Sequence, residues 1–140
     1  MTPPRTVVLD NEAVQALCST AHPEHARVVS HVQVIARRKR KAARLDVVVP
    51  TAVRVEAGWD RRAAAAALVN RLRIADVPLD TATADVAAEI AARLHVSVAD
   101  AHIGAVVRAA ADPGRVAIIT SDPGDIAAVV DPVPATIVSI

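Results

Sequence analysis

The chain has 140 residues, 53% of them hydrophobic, and a formal net charge of +1. This length is typical of one domain that buries roughly 68% of the surface of its unfolded chain, and we expect a single domain over residues 1–140. The single cysteine, Cys18, excludes an internal disulfide, and no secretory leader precedes the first apolar run, so we expect a reducing cytoplasm. Charged residues interrupt every apolar stretch before the roughly 18–20 residues of a membrane span.

The aromatic content limits how this chain could bind nucleic acid. It has no Phe, no Tyr and one Trp, so the core must consist of Ala, Val, Leu and Ile. An aromatic platform on which bases stack is excluded. Affinity for a nucleic acid would therefore have to come from arginine contacts with phosphates.

Apolar strand patterns and helical patterns alternate along the first half of the chain. In chain order they are a strand at 6–10, a helix at 12–19, a longer amphipathic helix from residue 24 into the basic run at 37–41, a strand at 46–49, and a helix that Thr51 is predicted to cap.

The second half continues the alternation. In chain order it has an alanine-rich helix at 61–72, a strand at 74–77, a helix at 83–94, a helix capped by Ser97, a strand at 116–119, a short helix near 126–130, and a strand at 135–139. Parallel neighbours need a crossover connection, which this alternation supplies. The sequence therefore predicts an α/β fold with a mainly parallel sheet.

Several carboxylates can be placed near one end of the predicted sheet, at the end of the first strand, early in the helix after the second strand, in the first turn of the helix capped by Ser97, and in the turn after the strand at 116–119. They are, in chain order, Asp10, Glu56, Asp100, Asp122 and Asp125, the last two within the turn at 120–125. In an open α/β sheet, the crevice beyond the carboxyl ends of the strands is where ligands bind. We therefore expect these acids to meet at one edge of the sheet.

Acids that meet in this way repel one another. Two unit charges 4 Å apart repel by about 4 kcal/mol at an effective dielectric constant of 20, so either their pKa values rise or a divalent cation lies among them. Oxygen ligands without an adjacent array of His or Cys favour Mg²⁺ or Mn²⁺ over zinc. Such ions activate water and stabilise charge on a phosphoryl group, which indicates phosphodiester hydrolysis.

Most of these acids also have a structural interpretation. Asp122 and Asp125 have the spacing of an N-cap and an N3 residue. The helix dipole favours Asp100 in a first helical turn, and Glu56 fits a solvated helix position. Only Asp10, at the end of an apolar strand, is predicted to have no routine structural purpose.

Four segments together resemble a PIN domain of the VapC toxin type. They are VVLD at 7–10, VPTAVRVE at 49–56, ADAHI at 99–103 and ITSDPGDI at 119–126. The resemblance extends over essentially the whole chain. It implies a three-layer α/β/α sandwich with a five-stranded parallel sheet, a metal-dependent ribonuclease site and a homodimer. For many members it also implies a cognate antitoxin that inserts a segment into the acidic pocket.

The same resemblance assigns roles by position. The implied metal-binding acids are Asp10, Glu56, Asp100 and Asp122, with Asp125 as an alternative or outer-shell partner and Thr120 or Ser121 orienting a ligand or water. Members often have Thr or Ser directly after the first Asp. This chain has Asn11-Glu12 there, which removes a hydroxyl and adds a carboxylate next to the site.

Three further features have other interpretations. The basic run of Arg37, Arg38, Lys39, Arg40 and Lys41 either binds an RNA backbone or is a solvated helix end that the dipole favours. His102 lies about 200° around a helix from Asp100, so the two do not easily share a metal. Trp59 is predicted to pack in the fold or at an interface.

These observations predict an endoribonuclease that depends on Mg²⁺ or Mn²⁺, acts on RNA, and is the toxin of a toxin–antitoxin pair. The alternative is a non-catalytic RNA- or protein-binding module with the same fold. A phosphatase-like site with Asp10 as nucleophile is disfavoured, because Glu12 stands where a second Asp is usual.

Overall fold

Five short strands form one sheet in the computed structural model, which describes residues 4–41 and 45–140, and their side chains outside residues 35–41. The strands are β1 (Thr6–Leu9), β2 (Asp46–Pro50), β3 (Ala75–Val77), β4 (Val116–Thr120) and β5 (Thr136–Ser139). Their order across the sheet is β3-β2-β1-β4-β5. Every neighbouring pair is parallel, so the predicted five-stranded parallel sheet is confirmed.

Helices connect all of these strands. They are α1 (Asn11–Cys18), α2 (His25–Lys41), α3 (Thr51–Ala57), α4 (Ala67–Asn70), α5 (Thr81–Leu94), α6 (Val98–Ala109) and α7 (Pro123–Val130). No helix in the described part of the chain is both long and apolar enough to cross a membrane.

The path of the chain across the sheet sorts the helices into two layers. The chain moves from β1 outward to β2 and β3, then returns to β4 and continues to β5. With right-handed crossovers, α1 and α2 cover one face of the sheet, whereas α5, α6 and α7 cover the other. Helix α3 contacts both α1 and α6. The result is the predicted three-layer α/β/α sandwich.

Aliphatic side chains form the core, as the composition predicts. All five residues of β4 are buried, and Val7, Val8 and Leu9 of β1 are at most 2% exposed. These strands are buried on both faces because helices cover both sides of a parallel sheet. Trp59 is buried as well, with the guanidinium carbon of Arg61 4.3 Å from the centre of its ring, so Trp59 packs within the fold.

The predicted cap of α3 is wrong. Pro50 occupies the N-cap position of α3 and makes no side-chain capping bond. Thr51 lies one residue later, and its hydroxyl oxygen accepts a hydrogen bond from the Leu79 N–H at 3.1 Å. Thr51 therefore joins the start of α3 to the segment that follows β3, a partner far along the chain.

The predicted helix at 61–72 is mostly absent. Only a 3₁₀ turn at Ala64–Ala66 and the four-residue α4 form there. The guanidinium of Arg61 instead donates to the Ile74 carbonyl at 2.7 Å and to an Asp76 carboxylate oxygen at 2.9 Å. Alanine favours a helix by at most a few tenths of a kcal/mol per residue over most other residues, and these tertiary contacts hold the segment in another conformation.

The basic run lies on the last turns of α2. The side chains of Arg37, Arg38, Lys39, Arg40 and Lys41 lie outside the described residues. Both interpretations of this run therefore remain predictions.

Candidate active site

The strand order reverses between β1 and β4. From β1 the chain moves to β2 on one side, and from β4 it moves to β5 on the other. Ligands of open α/β sheets bind at the carboxyl ends of the strands at such a reversal. Asp10 directly follows β1, and its backbone N–H donates to the Ile119 carbonyl of β4 at 3.2 Å. Asp10 thus lies at the reversal point.

Asp10 is almost completely buried, with 6% of its surface exposed. One carboxylate oxygen accepts from the Ala13 N–H at 2.8 Å and so caps α1. The Thr120 side chain and the Ser121 backbone also hydrogen-bond to this carboxylate. Burial raises the pKa of Asp10, although these hydrogen bonds act to lower it. The prediction that Asp10 has no structural purpose is therefore wrong, because it is a helix cap.

Capping leaves Asp10 with further acceptor capacity, since a carboxylate offers about four lone-pair positions on two oxygens. Thr120, the last residue of β4, is completely buried, and its side chain hydrogen-bonds to Asp10. The Thr120 hydroxyl oxygen accepts from the Asp122 N–H at 2.9 Å, and its hydrogen is directed to Asp10. Thr120 therefore links Asp10 to the turn that carries Asp122.

Asp100 experiences the charge of all the other candidate acids. Its backbone N–H donates to the Ser97 hydroxyl oxygen at 3.1 Å, which confirms Ser97 as the cap of α6. Burial raises the pKa of the Asp100 carboxyl, and four negative charges raise it further. In decreasing order of effect, these charges are those of Glu56, Asp10, Asp125 and Asp122. The acids that the sequence predicts to meet therefore share one electrostatic environment.

Asp122 and Asp125 form an exposed pair at the start of α7. An Asp122 carboxylate oxygen accepts from the Asp125 N–H at 3.4 Å, and Pro123 occupies the first turn, so the predicted capping arrangement is confirmed. A hydrogen bond that the protonated Asp125 carboxyl donates to Asp122, and then the charge of Asp122, raise the pKa of Asp125. The charges of both acids also raise the pKa of Asp100. The pair therefore acts on the site even though Asp122 caps α7.

Glu56 is exposed on α3 and is oriented by Asn11. The Asn11 side-chain nitrogen donates to Glu56 Oε1 at 3.1 Å, and Asn11 Oδ1 accepts from the Gln15 side chain at 3.1 Å. The sequence predicts only a missing hydroxyl at Asn11. The spacing of Asn11 and Gln15, four residues apart on a helix, indicates the contact between these two, but no local pattern indicates the contact with Glu56.

Glu12 contacts a histidine. Its Oε1 lies 2.6 Å from His22 Nε2. The charge of Glu12 still raises the pKa of Asp10, as the smallest of the causes that act on it. The extra carboxylate therefore perturbs the site weakly.

His102 connects two helices that carry candidate acids. It is completely buried on α6, and its Nδ1 accepts from the Ala52 N–H at 3.3 Å. Burial lowers the pKa of His102, which favours the neutral imidazole that can accept this bond. His102 thus ties α6 to the start of α3, the helix that carries Glu56. Sequence reasoning placed His102 outside the metal ligands but did not identify this contact.

The donor set has the chemistry of a hard-cation site. Its candidate ligands are all carboxylate oxygens, which suit Mg²⁺ or Mn²⁺. Within residues 4–41 and 45–140, however, no three His, Cys, Asp or Glu side chains lie close enough together to hold one ion as placed. Glu56, Asp122 and Asp125 are exposed, so shared coordination requires these side chains to turn toward Asp10 and Asp100.

We expect Asp100→Asn to stabilise the fold. The first-turn dipole favours a carboxylate by about 0.3–1 kcal/mol, whereas burial and then the charges of four other carboxylates oppose its ionisation. The pKa of Asp100 is higher in the folded than in the unfolded protein. Protonation therefore favours folding fully below the usual pKa of about 3.9, and that contribution is lost as pH rises through the folded pKa.

Thermal unfolding at several pH values measures this effect. At pH 7 without added metal, the Tm of Asp100→Asn should exceed that of the wild type by a few degrees, since 1 kcal/mol shifts Tm by roughly 3–5 °C in a domain of this size. The difference should disappear near pH 3. Asp85→Asn, at an exposed position of α5, is the control and should leave Tm unchanged. A lower Tm for Asp100→Asn at pH 7 would contradict the repulsion.

No protein-family model matches this sequence, and a comparison with curated proteins also found no match.

Proposed function

We propose that this chain is a metal-dependent endoribonuclease that hydrolyses RNA phosphodiester bonds. One observation carries the proposal: at the edge where the strand order reverses, burial and then the charges of four other carboxylates raise the pKa of Asp100. Repulsion among like charges opposes folding, and acids with shifted pKa values concentrate at functional sites. A divalent cation is the ligand that such a group of oxygens fits.

Asp10, Glu56, Asp100 and Asp122 would hold Mg²⁺ or Mn²⁺, with Asp125 as the outer partner of Asp122. A bound ion of this kind neutralises charge on a phosphoryl group and makes water more acidic. Groups that orient metal ligands tune metal affinity. In this chain Thr120 would orient Asp10, and Asn11 would orient Glu56.

The identity of the substrate and partners rests on the resemblance to VapC-type PIN domains. The five-stranded parallel sandwich agrees with the fold that this resemblance implies. The proposal therefore extends to RNA as substrate, to a homodimer, and to a cognate antitoxin in the cytoplasm. In the same proposal, the basic run at 37–41 contacts the RNA backbone.

One observation favours a different function, a non-catalytic module that binds RNA or protein. As placed, no three acids in the described part of the chain are close enough to share an ion. Such a module would retain RNA in a salt-sensitive manner without any divalent metal.

Cleavage of a pool of structured RNAs by the purified protein tests the proposal. We expect discrete products with Mg²⁺ or Mn²⁺ and none with EDTA, because the carboxylates alone cannot neutralise the charge on the phosphoryl group. Products that persist in EDTA would contradict the metal dependence. Retention of RNA without products in any metal would favour the binding module.

A further inference from the structure

An apolar cleft opens beside the acidic site. Its volume is about 430 Å³, and its walls come from α3, the segment after β3 and the start of α6. Glu56 lines the cleft, and Ala99 of its wall directly precedes Asp100. The cleft and the acids therefore share a boundary formed by α3 and α6.

Large aliphatic side chains are unusually exposed in this cleft. Val55 is 82% exposed, Val98 62% and Leu79 37%. Each of these side chains is in contact with water. Covering them with an apolar ligand would be favourable, because it removes apolar surface from water. The volume lies within the usual range of small-molecule sites. The cleft is thus suited to a compact ligand with apolar faces.

We propose that this cleft receives a nucleobase adjacent to the scissile phosphate, an inference that rests on the proposed ribonuclease function. If the acids bind the scissile phosphodiester, the bases of the two nucleotides that it joins lie beside the acids. The cleft adjoins the acids, because Glu56 belongs to both. The exposed side chains of Val55 and Val98 line the cleft and would contact the base, so no aromatic stacking is required.

The cleft has few polar groups that could form hydrogen bonds with the edges of a base. The Thr51 hydroxyl oxygen already accepts from the Leu79 N–H at 3.1 Å, which leaves one hydroxyl hydrogen to donate. A single donor can bond to a ring nitrogen or carbonyl of any of the four bases. Of the lining side chains only Thr51 and Glu56 are polar, and the proposed function assigns Glu56 to the metal, so the cleft holds a base mainly through apolar contact.

A second copy of the chain is the competing occupant of an exposed apolar surface. Two features favour the base: the surface is concave, and it continues into the acidic site through Glu56. The experiment below distinguishes the two occupants.

The test uses a defined RNA that the wild type cleaves at one site, together with two versions that lack the base on either side of that site. The variant is Val55→Ser with Val98→Ser, whose exposed side chains can be shortened with little effect on the core. For the wild type, removing the base that enters the cleft should lower kcat/KM about tenfold. The variant should cleave the intact RNA about as slowly as the wild type cleaves the abasic RNA. Base removal should then change the kcat/KM of the variant less than about twofold.

Leu68→Ser is the matched control, because Leu68 is 69% exposed on α4 and does not line this cleft. It should leave the sensitivity to base removal unchanged. If wild type and variant respond equally to base removal while cleavage still needs metal, the cleft assignment is overturned and the nuclease stands. A wild type that cleaves no RNA in any metal overturns both.

Sedimentation of the same proteins completes the test. If the double variant converts a dimer to a monomer and retains the tenfold effect of base removal, the cleft is an interface between copies, and the base assignment is overturned. An unchanged oligomeric state together with the lost base effect is the expected result.

Discussion

We expect Asp10→Asn to abolish RNA cleavage, with a fall in kcat of at least about 100-fold, and to leave the fold intact. The neutral amide cannot balance the charge of a divalent cation, so the site loses a buried ligand. Asn caps a helix about as well as Asp. The substitution also removes a carboxyl group whose pKa is raised by burial. The Tm should therefore stay equal to or slightly above that of the wild type, as measured by thermal unfolding beside single-turnover cleavage.

Asp10→Ala separates the chemical role from the structural one. It removes both the ligand and the bond from the Ala13 N–H, so it should lose activity and also about 1 kcal/mol of stability. Asp85→Asn should retain full cleavage. Unchanged turnover in Asp10→Asn would exclude Asp10 from the site, and loss of cleavage with a large fall in Tm would indicate a structural defect.

Gly104→Val lowers the free energy of unfolding by about 3 kcal/mol and the Tm by roughly 10 °C. A Cβ atom at Gly104 would lie 2.6 Å from a Val129 methyl carbon, 2.8 Å from Ile90 Cδ1 and 2.9 Å from the Val129 carbonyl oxygen. A side chain can rotate away, but the backbone oxygen of α7 cannot. Valine must therefore push α6 and α7 apart, and differential scanning calorimetry measures the result.

Gly124→Val is the matched control for this substitution. Gly124 lies in the first turn of α7, and no atom lies within 4 Å of a Cβ built there. The Tm should change by no more than about 2 °C, since valine is a slightly better helix former than glycine. Equal Tm values for the two variants would show that the spacing of α6 and α7 adapts easily. Because Asp100 lies on α6, we also expect Gly104→Val to reduce cleavage.

Several features of the site could be predicted because their causes are local. Ser97 and Asp122 cap helices whose first turns lie within three residues of them. Alternating apolar strands and amphipathic helices require crossover connections, and these bring the carboxyl ends of all strands to one edge. The placement of Asp10, Asp122 and Asp125 near that edge follows from their positions directly after strands.

Asp10 caps α1 through a residue only three positions away, but the other contacts that the sequence did not reveal join distant residues. Asn11 and Glu56 are 45 residues apart, and His102 and Ala52 are 50 apart. Arg61 reaches Asp76 across 15 residues, and that contact replaces the helix that the alanines predict. A residue's own propensity cannot reveal a partner that only folding brings near.

The sequence alone therefore determined the α/β class, the parallel sheet and the acidic edge, because hydrophobic periodicity and capping act over a few residues. Only the tertiary structure decided the order β3-β2-β1-β4-β5, which places β4 beside β1. That pairing directs the hydroxyl of Thr120 to Asp10 and turns a helix cap into part of a shared acidic group. Strand order depends on which crossovers pack best on the two faces of the whole sheet, and no single segment encodes that free energy.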